Sequence, residues 1–311
     1  MPRDMRVSRL AAVPGIGVDR MGNAADAAND PEILRLENLD TDLPPPEVAL
    51  EVTRKGIGLD KNNSYLPFLG QDELRQAATK RVFRVSDTDY EWQSECIITA
   101  GGMSGILNCL LALLEPGDEV IVTDPTYAGI INRIRLASGV PVFVPLIPSS
   151  GGWSLDISAL EKAVSPRTRI LLMSPGMPTG HILTQEEWDA VRRVTIKVDA
   201  WLLYDAAMER ILYDGRSVFH PASLPQMRER TITIGAASKE LRMIGWRIGW
   251  VVGPKTIMND IGLVSISNVV CQAGISMAGV TTALNTPDDG LQTDVGICKK
   301  GTRHRRFCCT L

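Results

Sequence analysis

The sequence predicts an α/β domain built around a mostly parallel sheet. Two observations carry that prediction. Short continuous runs of Ile, Val and Leu alternate with longer segments of helical spacing, the pattern of strands buried on both faces and connected by crossover helices. Several of these runs also end in Gly, Asp or a nearby Lys, and open α/β sheets bind ligands at the carboxyl ends of their strands.

Taken in order, residues 1–45 read as irregular and close on the stiff boundary Pro44-Pro45-Pro46. Helical spacing follows at Pro46–Lys55 and Gln71–Val82. The strand candidates are Cys96–Thr99, Glu119–Thr123, Pro141–Val144, Arg169–Met173, Trp201–Tyr204, Thr231–Gly235 and Gly249–Val252. Between them, helices are predicted at Gly102–Leu114, Thr126–Ala137, Ile157–Val164 and Thr184–Val198. The last opens Thr184-Gln185-Glu186-Glu187, a capping-box pattern in which hydroxyl and carboxylate satisfy the first free amides.

Composition narrows the function. At 311 residues with a net charge of −3, the chain is long enough for a large core and has no global basicity to suit nucleic acid. Cys96, Cys109 and Cys271 lie in apolar runs and read as reduced core thiols, which places the protein in a reducing cytoplasm. Met1 to Arg20 is charged throughout, so no signal peptide is expected. The uncharged stretches Cys96–Leu114 and Ile261–Pro287 are interrupted by glycines or punctuated by polar residues, and neither reads as a membrane span.

The chemistry centres on Lys239. It follows the apolar run Thr231–Gly235, and Arg247 comes eight residues later beside glycines. An amine that condenses with an aldehyde, next to a guanidinium that holds a phosphate, points to pyridoxal phosphate. The plainer alternative is a surface lysine and arginine flanking a turn. Gly101-Gly102-Met103 joins a strand to an apolar helix whose free amides suit phosphate, or is an ordinary tight turn. Tyr127, after Asp124-Pro125-Thr126, suits stacking on a planar ring, or packs at a helix start. Asp205 ends an apolar strand and needs a cationic partner. A pyridinium nitrogen would serve; the alternative is an N-cap for the next helix.

With these residues in view, the chain resembles the class I/II aminotransferases, pyridoxal-phosphate enzymes of fold type I. The resemblance rests on Tyr65-Leu66-Pro67-Phe68-Leu69-Gly70, Gly101-Gly102, Pro116-Gly117-Asp118-Glu119-Val120, Asp124-Pro125-Thr126-Tyr127, Pro178-Thr179-Gly180, Tyr204-Asp205 and Lys239 to Arg247, in that order, and covers roughly Glu32 to Asn285. It implies that Lys239 bonds the cofactor and shuttles the α-carbon proton. It implies Asp205 at the pyridine nitrogen, Tyr127 on the ring, and Gly102, Met103 and Arg247 at the phosphate. Tyr65 would reach the phosphate of a neighbouring subunit, hence a homodimer.

Four departures stand against the family pattern. Met177 replaces the usual asparagine and Met208 the usual tyrosine, so two hydrogen-bond donors are lost. Ala236 stands where a phosphate-binding serine is common. The family also continues into a small domain whose arginine grips the substrate carboxylate, whereas this chain ends at Leu311. Residues 289–311 read as an aberrant tail, frameshifted or truncated, basic and without apolar periodicity; a solvated, unstructured tail is its simplest form. A zinc site from Cys298, His304, Cys308 and Cys309 is disfavoured by poor spacing. His181 and His220 have no evident partner.

The expectation is therefore a fold-type-I large domain at 47–288, preceded by an arm and small-domain segment at 1–46 and followed by an incomplete small domain. The expected activity moves an amino group between an amino acid and a 2-oxo acid, with no metal, nucleic acid or membrane partner. A lyase or synthase of the same fold, or a cofactor-binding remnant without turnover, are the alternatives.

Overall fold

A computed structural model describes residues 8–304, positions 36, 38, 39, 42, 214, 288 and 289 excepted. Strands β1 (Cys96–Thr99), β2 (Glu119–Asp124), β3 (Val140–Ser149), β4 (Gly152–Leu155), β5 (Thr168–Met173), β6 (Trp201–Asp205), β7 (Thr231–Ala236) and β8 (Gly249–Val252) form one sheet among the described residues, in the order β1-β8-β7-β6-β5-β2-β3-β4. The centre, from β7 through β6, β5 and β2 to β3, is parallel. Both margins turn antiparallel, at β1–β8–β7 and at β3–β4. β2, β5, β6 and β7 are almost wholly buried, which is why their sequences are continuous apolar runs rather than alternating ones.

The helices are α1 (Ser8–Ala11), α2 (Val18–Ala28), α3 (Glu47–Gly56), α4 (Asp72–Ser86), α5 (Trp92–Glu95), α6 (Gly102–Leu113), α7 (Ala128–Leu136), α8 (Ile157–Ala163), α9 (Gln185–Lys197), α10 (Lys255–Val269), α11 (Gly274–Asn285) and α12 (Leu291–His304). One apolar layer joins α6 and α7 to the sheet through Ile106, Leu110, Ile130 and Ile134. Another seats α9 by Trp188, whose ring meets Tyr204 edge-on at 5.7 Å. The predicted capping box at Thr184 and Glu187 forms and starts α9.

Several expectations are corrected. Residues 1–45 are not wholly irregular, since α1 and α2 lie there, and Asn132 and Arg135 of α7 bind the Pro14 and Ala12 carbonyls at 2.6 and 3.2 Å. β3 runs further than Pro141–Val144 and turns back into β4, an unexpected strand, because Pro145 and Pro148 obscure the strand pattern in the sequence. Leu291–His304 is helical rather than an unstructured tail. Leu291 and Val295 bury one turn apart, and Asp294 pairs with Arg242 at 2.8 Å. Residues 1–7 of the expected leaderless start, and Cys308 and Cys309 of the tail, lie outside the described residues. No described helix is long and apolar enough to cross a membrane.

Both histidines have partners that the linear sequence hides. His181 Nε2 lies 2.9 Å from Glu187, locking the start of α9. His220 is buried, accepts the Ala222 N–H on Nδ1 at 3.2 Å and packs its ring 4.8 Å from that of Tyr204. Burial pushes the His220 pKa down to about 3. An unfolded histidine titrates near 6.5, so on acidification the unfolded chain takes up this proton first. The stability associated with neutral His220 is present above about pH 6.5 and is lost, at up to about 1.4 kcal/mol per unit, as the pH falls toward the folded value. Substituting His220→Asn, whose side-chain oxygen can accept the same N–H, is expected to flatten that acid limb. Denaturant unfolding between about pH 4.5 and 7.5 checks it: wild type loses more stability across the range than the variant.

Candidate active site

The carboxyl ends of β5, β6 and β7 and the start of α6 open into one cavity of about 570 Å³. It is built from backbone that only small residues allow. Gly101, between β1 and α6, has φ +84°, and a β-carbon there would lie 2.5 Å from Arg247 Nη2. Gly249, opening β8, packs so tightly that a β-carbon would lie 2.6 Å from both Gly101 C and Gly102 N. The chain thus folds two glycine backbones onto each other and lays the Arg247 guanidinium across the turn, at the positive end of α6. Arg247 donates to the Ile244 carbonyl at 2.8 Å and the Ser238 hydroxyl at 3.3 Å, which aims it. Arg133 of α7 donates to the Met103 carbonyl at 3.0 Å and ties α7 to this helix start.

Lys239 lies in the turn just after β7, half-buried on the cavity wall. Its pKa is lowered, chiefly because burial strips water from the ammonium; Arg247 adds to that lowering and Asp40 opposes it. More of the amine is therefore in its nucleophilic form than an exposed lysine would offer.

Asp205 ends β6 on the cavity floor. Its carboxylate accepts from Ser174 Oγ at 3.0 Å and from the Ala207 N–H at 3.2 Å, and neither donor is cationic. Loss of hydration raises its pKa, and those two hydrogen bonds only partly offset the effect. The following residues, Ala207–Arg210, form a turn rather than a helix, so Asp205 is not a helix cap. Such a carboxylate is stabilised by a cation entering the cavity. Tyr127 caps α7 and lies against Gly129, where a β-carbon would come within 2.6 Å of the ring.

Six of the expected residues, Gly102, Met103, Tyr127, Asp205, Lys239 and Arg247, therefore meet at one cavity. Met177, Met208 and Ala236 line it too, so the departures from the family pattern sit at the site itself. Tyr65 does not reach it and is 84 % exposed. Ser174, whose one sequence signal is its place directly after β5, also lines the cavity, as do Ile16, Val18, Asp19 and Glu37 from the N-terminal segment, none of them expected from the sequence. Those four carry no motif. Glu37 is held ionised by Arg35 at 2.6 Å. Together the groups can take a phosphate at α6 and Arg247, a protonated ring nitrogen at Asp205, a flat ring at Tyr127 and a carbonyl carbon at Lys239.

Known proteins resemble this chain in sequence and in fold. The family model described as aminotransferase class I and II matches residues 34–306. An aspartate aminotransferase of Streptomyces avermitilis is 32 % identical over 257 residues, covering 81 % of this chain and 62 % of the relative. A probable aspartate/prephenate aminotransferase of Thermus aquaticus is 32 % identical over 276 residues, covering 88 % of this chain and 70 % of the relative. The chain thus spans less than two thirds of the Streptomyces relative. Among solved structures, N-succinyldiaminopimelate aminotransferase from Mycobacterium tuberculosis superposes with a TM-score of 0.88 at 28 % identity, over 97 % of this chain and 77 % of that one.

Proposed function

Because this chain belongs to the class I and II aminotransferase family, we propose that it holds pyridoxal phosphate in the cavity at Lys239 and moves an amino group between an amino acid and a 2-oxo acid. The family is generally dependent on that cofactor. The observation that carries the reading is Asp205: a carboxylate with only neutral hydrogen-bond donors, lining the same cavity as an amine of lowered pKa. The residues fit the group. The Gly101–Gly102 turn is a cradle that any β-carbon would obstruct, and Arg247 crosses it.

When bound, the cofactor supplies an electron sink for the donor's α-carbon. Each residue has a separate task. The α6 amides at Gly102 and Met103, with Arg247, receive the phosphate and fix its register. Asp205 keeps the ring nitrogen protonated, and the raised pKa it has beside neutral donors is relieved by that cation. Tyr127 presents its ring face. Lys239 anchors the aldehyde carbon and carries the proton at the donor's α-carbon. Met177 and Met208 give the wall polarizable bulk without hydrogen-bond donors.

Exposed Tyr65, with exposed Phe68 and Leu59 on the same segment, supports a homodimer in which Tyr65 faces the partner's cavity. The free, buried thiols of Cys96 and Cys109 support action in a reducing cytoplasm.

The test is a half-reaction. The full chain is saturated with pyridoxal phosphate and a panel of amino acids is added singly, with the absorbance followed. At least one donor should convert the cofactor to its amine form and release the matching 2-oxo acid. Ammonia released in place of retained nitrogen would assign a lyase instead. Uptake with no response to any donor would leave a cofactor-binding protein without turnover.

A further inference from the structure

We infer that Glu240 is a positioning residue, which fixes the Lys239 amine against Asp205 by tying the turns that carry them to helix α4. The inference rests on the reading of Lys239 given above.

Glu240 directly follows Lys239, yet its side chain points away from the cavity and the residue is only 4 % exposed. Its carboxylate forms a close ion pair with Arg81, itself buried on α4. It also accepts the backbone N–H of Arg210 at 2.7 Å, with the Arg210 guanidinium 4.0 Å away. Arg210 closes the turn that begins at Ala207, and the Ala207 N–H is one of the two donors on Asp205. Met208, in the same turn, lines the cavity.

The other end of the link is equally defined. The Lys239 carbonyl accepts the Arg242 N–H at 3.1 Å, and the Glu240 carbonyl accepts Arg242 Nη1 at 3.0 Å. Arg242 has φ +54°, a left-handed conformation that a non-glycine residue holds only with outside support. One buried carboxylate therefore joins three segments distant in sequence: α4, the turn after β6 and the turn after β7. Its reach matters as well as its charge. One oxygen meets an N–H of one turn while the other meets a guanidinium of a helix, and a shorter arm cannot span both. Asp40 and Arg247 act on the charge of the Lys239 amine, whereas Glu240 holds the backbone that carries it.

The test reads the Lys239 amine directly. The full chain, well below its melting temperature, is acylated with acetic anhydride across a pH range, and Lys239 labelling is quantified by peptide mass spectrometry. In Glu240→Gln the loosened turn lets the amine regain water, and its labelling midpoint should move up by about half a pH unit or more, toward that of an exposed lysine. Glu240→Asp keeps the charge but shortens the arm, and should move the midpoint in the same direction; it also carries the test if Glu240→Gln does not fold. Wild-type midpoints in the folded variants, whatever their melting temperatures, overturn the inference and leave Glu240 a stabilising ion pair. A shift in Glu240→Gln alone overturns it too, because charge rather than reach would then be the cause. Failure of the wild type to take up pyridoxal phosphate, with both labelling shifts intact, would remove the proposed function and leave the positioning role standing.

Discussion

Replacing Lys239 by alanine is expected to abolish amino transfer while leaving the fold almost untouched. The amine is asked to do two things, to hold the aldehyde carbon and to carry the α-carbon proton. Proton transfer by a placed side chain contributes on the order of 10²–10⁴ in rate, and the lost attachment adds to that. The expected fall in turnover is therefore at least on the order of 10³. Stability should change little, within about 0.5 kcal/mol. The side chain is half-buried on a cavity wall rather than in the core, and the turn's hydrogen bond from Arg242 uses the Lys239 carbonyl, which alanine keeps. The measurement is borohydride reduction of the cofactor-loaded protein followed by peptide mapping, beside turnover. Wild type should carry the adduct on Lys239 and the variant none. An adduct of equal yield on another lysine, with turnover retained, would sink the assignment.

Asp205→Asn should separate function from stability in opposite directions. The substitution is isosteric, and its amide oxygen can keep one of the two existing hydrogen bonds, from Ser174 or Ala207. Its charge is gone, so the ring nitrogen loses its counter-ion. Breaking a buried ion pair from one side costs about 3–5 kcal/mol, which predicts a fall in turnover of roughly 10²- to nearly 10⁴-fold. The cofactor-free protein behaves differently. The folded pKa of Asp205 is raised above its unfolded value by loss of hydration, so its contribution is intact below the unfolded pKa, near 3.9, and is lost as the pH rises through the folded value. At neutral pH the carboxylate destabilises the cofactor-free chain, and asparagine should raise its melting temperature, with a gain that is absent in acid. Melting curves of the two proteins from about pH 4 to 8, without cofactor, check the sign. A variant that is less stable at neutral pH and fully active would make Asp205 a structural residue.

The legibility of this site in the sequence was uneven for physical reasons. Asp205 and Lys239 could be found because each ends or follows an apolar run that must be a buried strand, and a charge at such a place needs a ligand or a partner. Gly101-Gly102 could be found because a turn between a strand and an apolar helix leaves free amides. Glu240 could not be distinguished from a solvated acid in a polar turn. Its partners Arg81 and Arg210 lie far away in the chain, and only packing shows that all three are drawn together. Gly249 looked like a strand start, and its contact with Gly101 is a matter of how β8 lies beside β1. Ile16, Val18, Asp19 and Glu37 were hidden for a related reason: the segment before Pro44 has little apolar periodicity, and its place is set by contacts with α7 rather than by its own pattern.

The sequence by itself determined the alternation of strands and helices, the helix start at Gly102, the capped start of α9 and the chemical identity of the cavity groups. These follow from periodicity, capping and side-chain type, which act over a few residues. The tertiary structure alone decided that the strand ends converge, that Tyr65 stays outside while the N-terminal segment lines the cavity, and that Glu240 faces inward. Those outcomes depend on crossovers and on burial of charges from distant segments, and no local pattern encodes the partner of a buried charge.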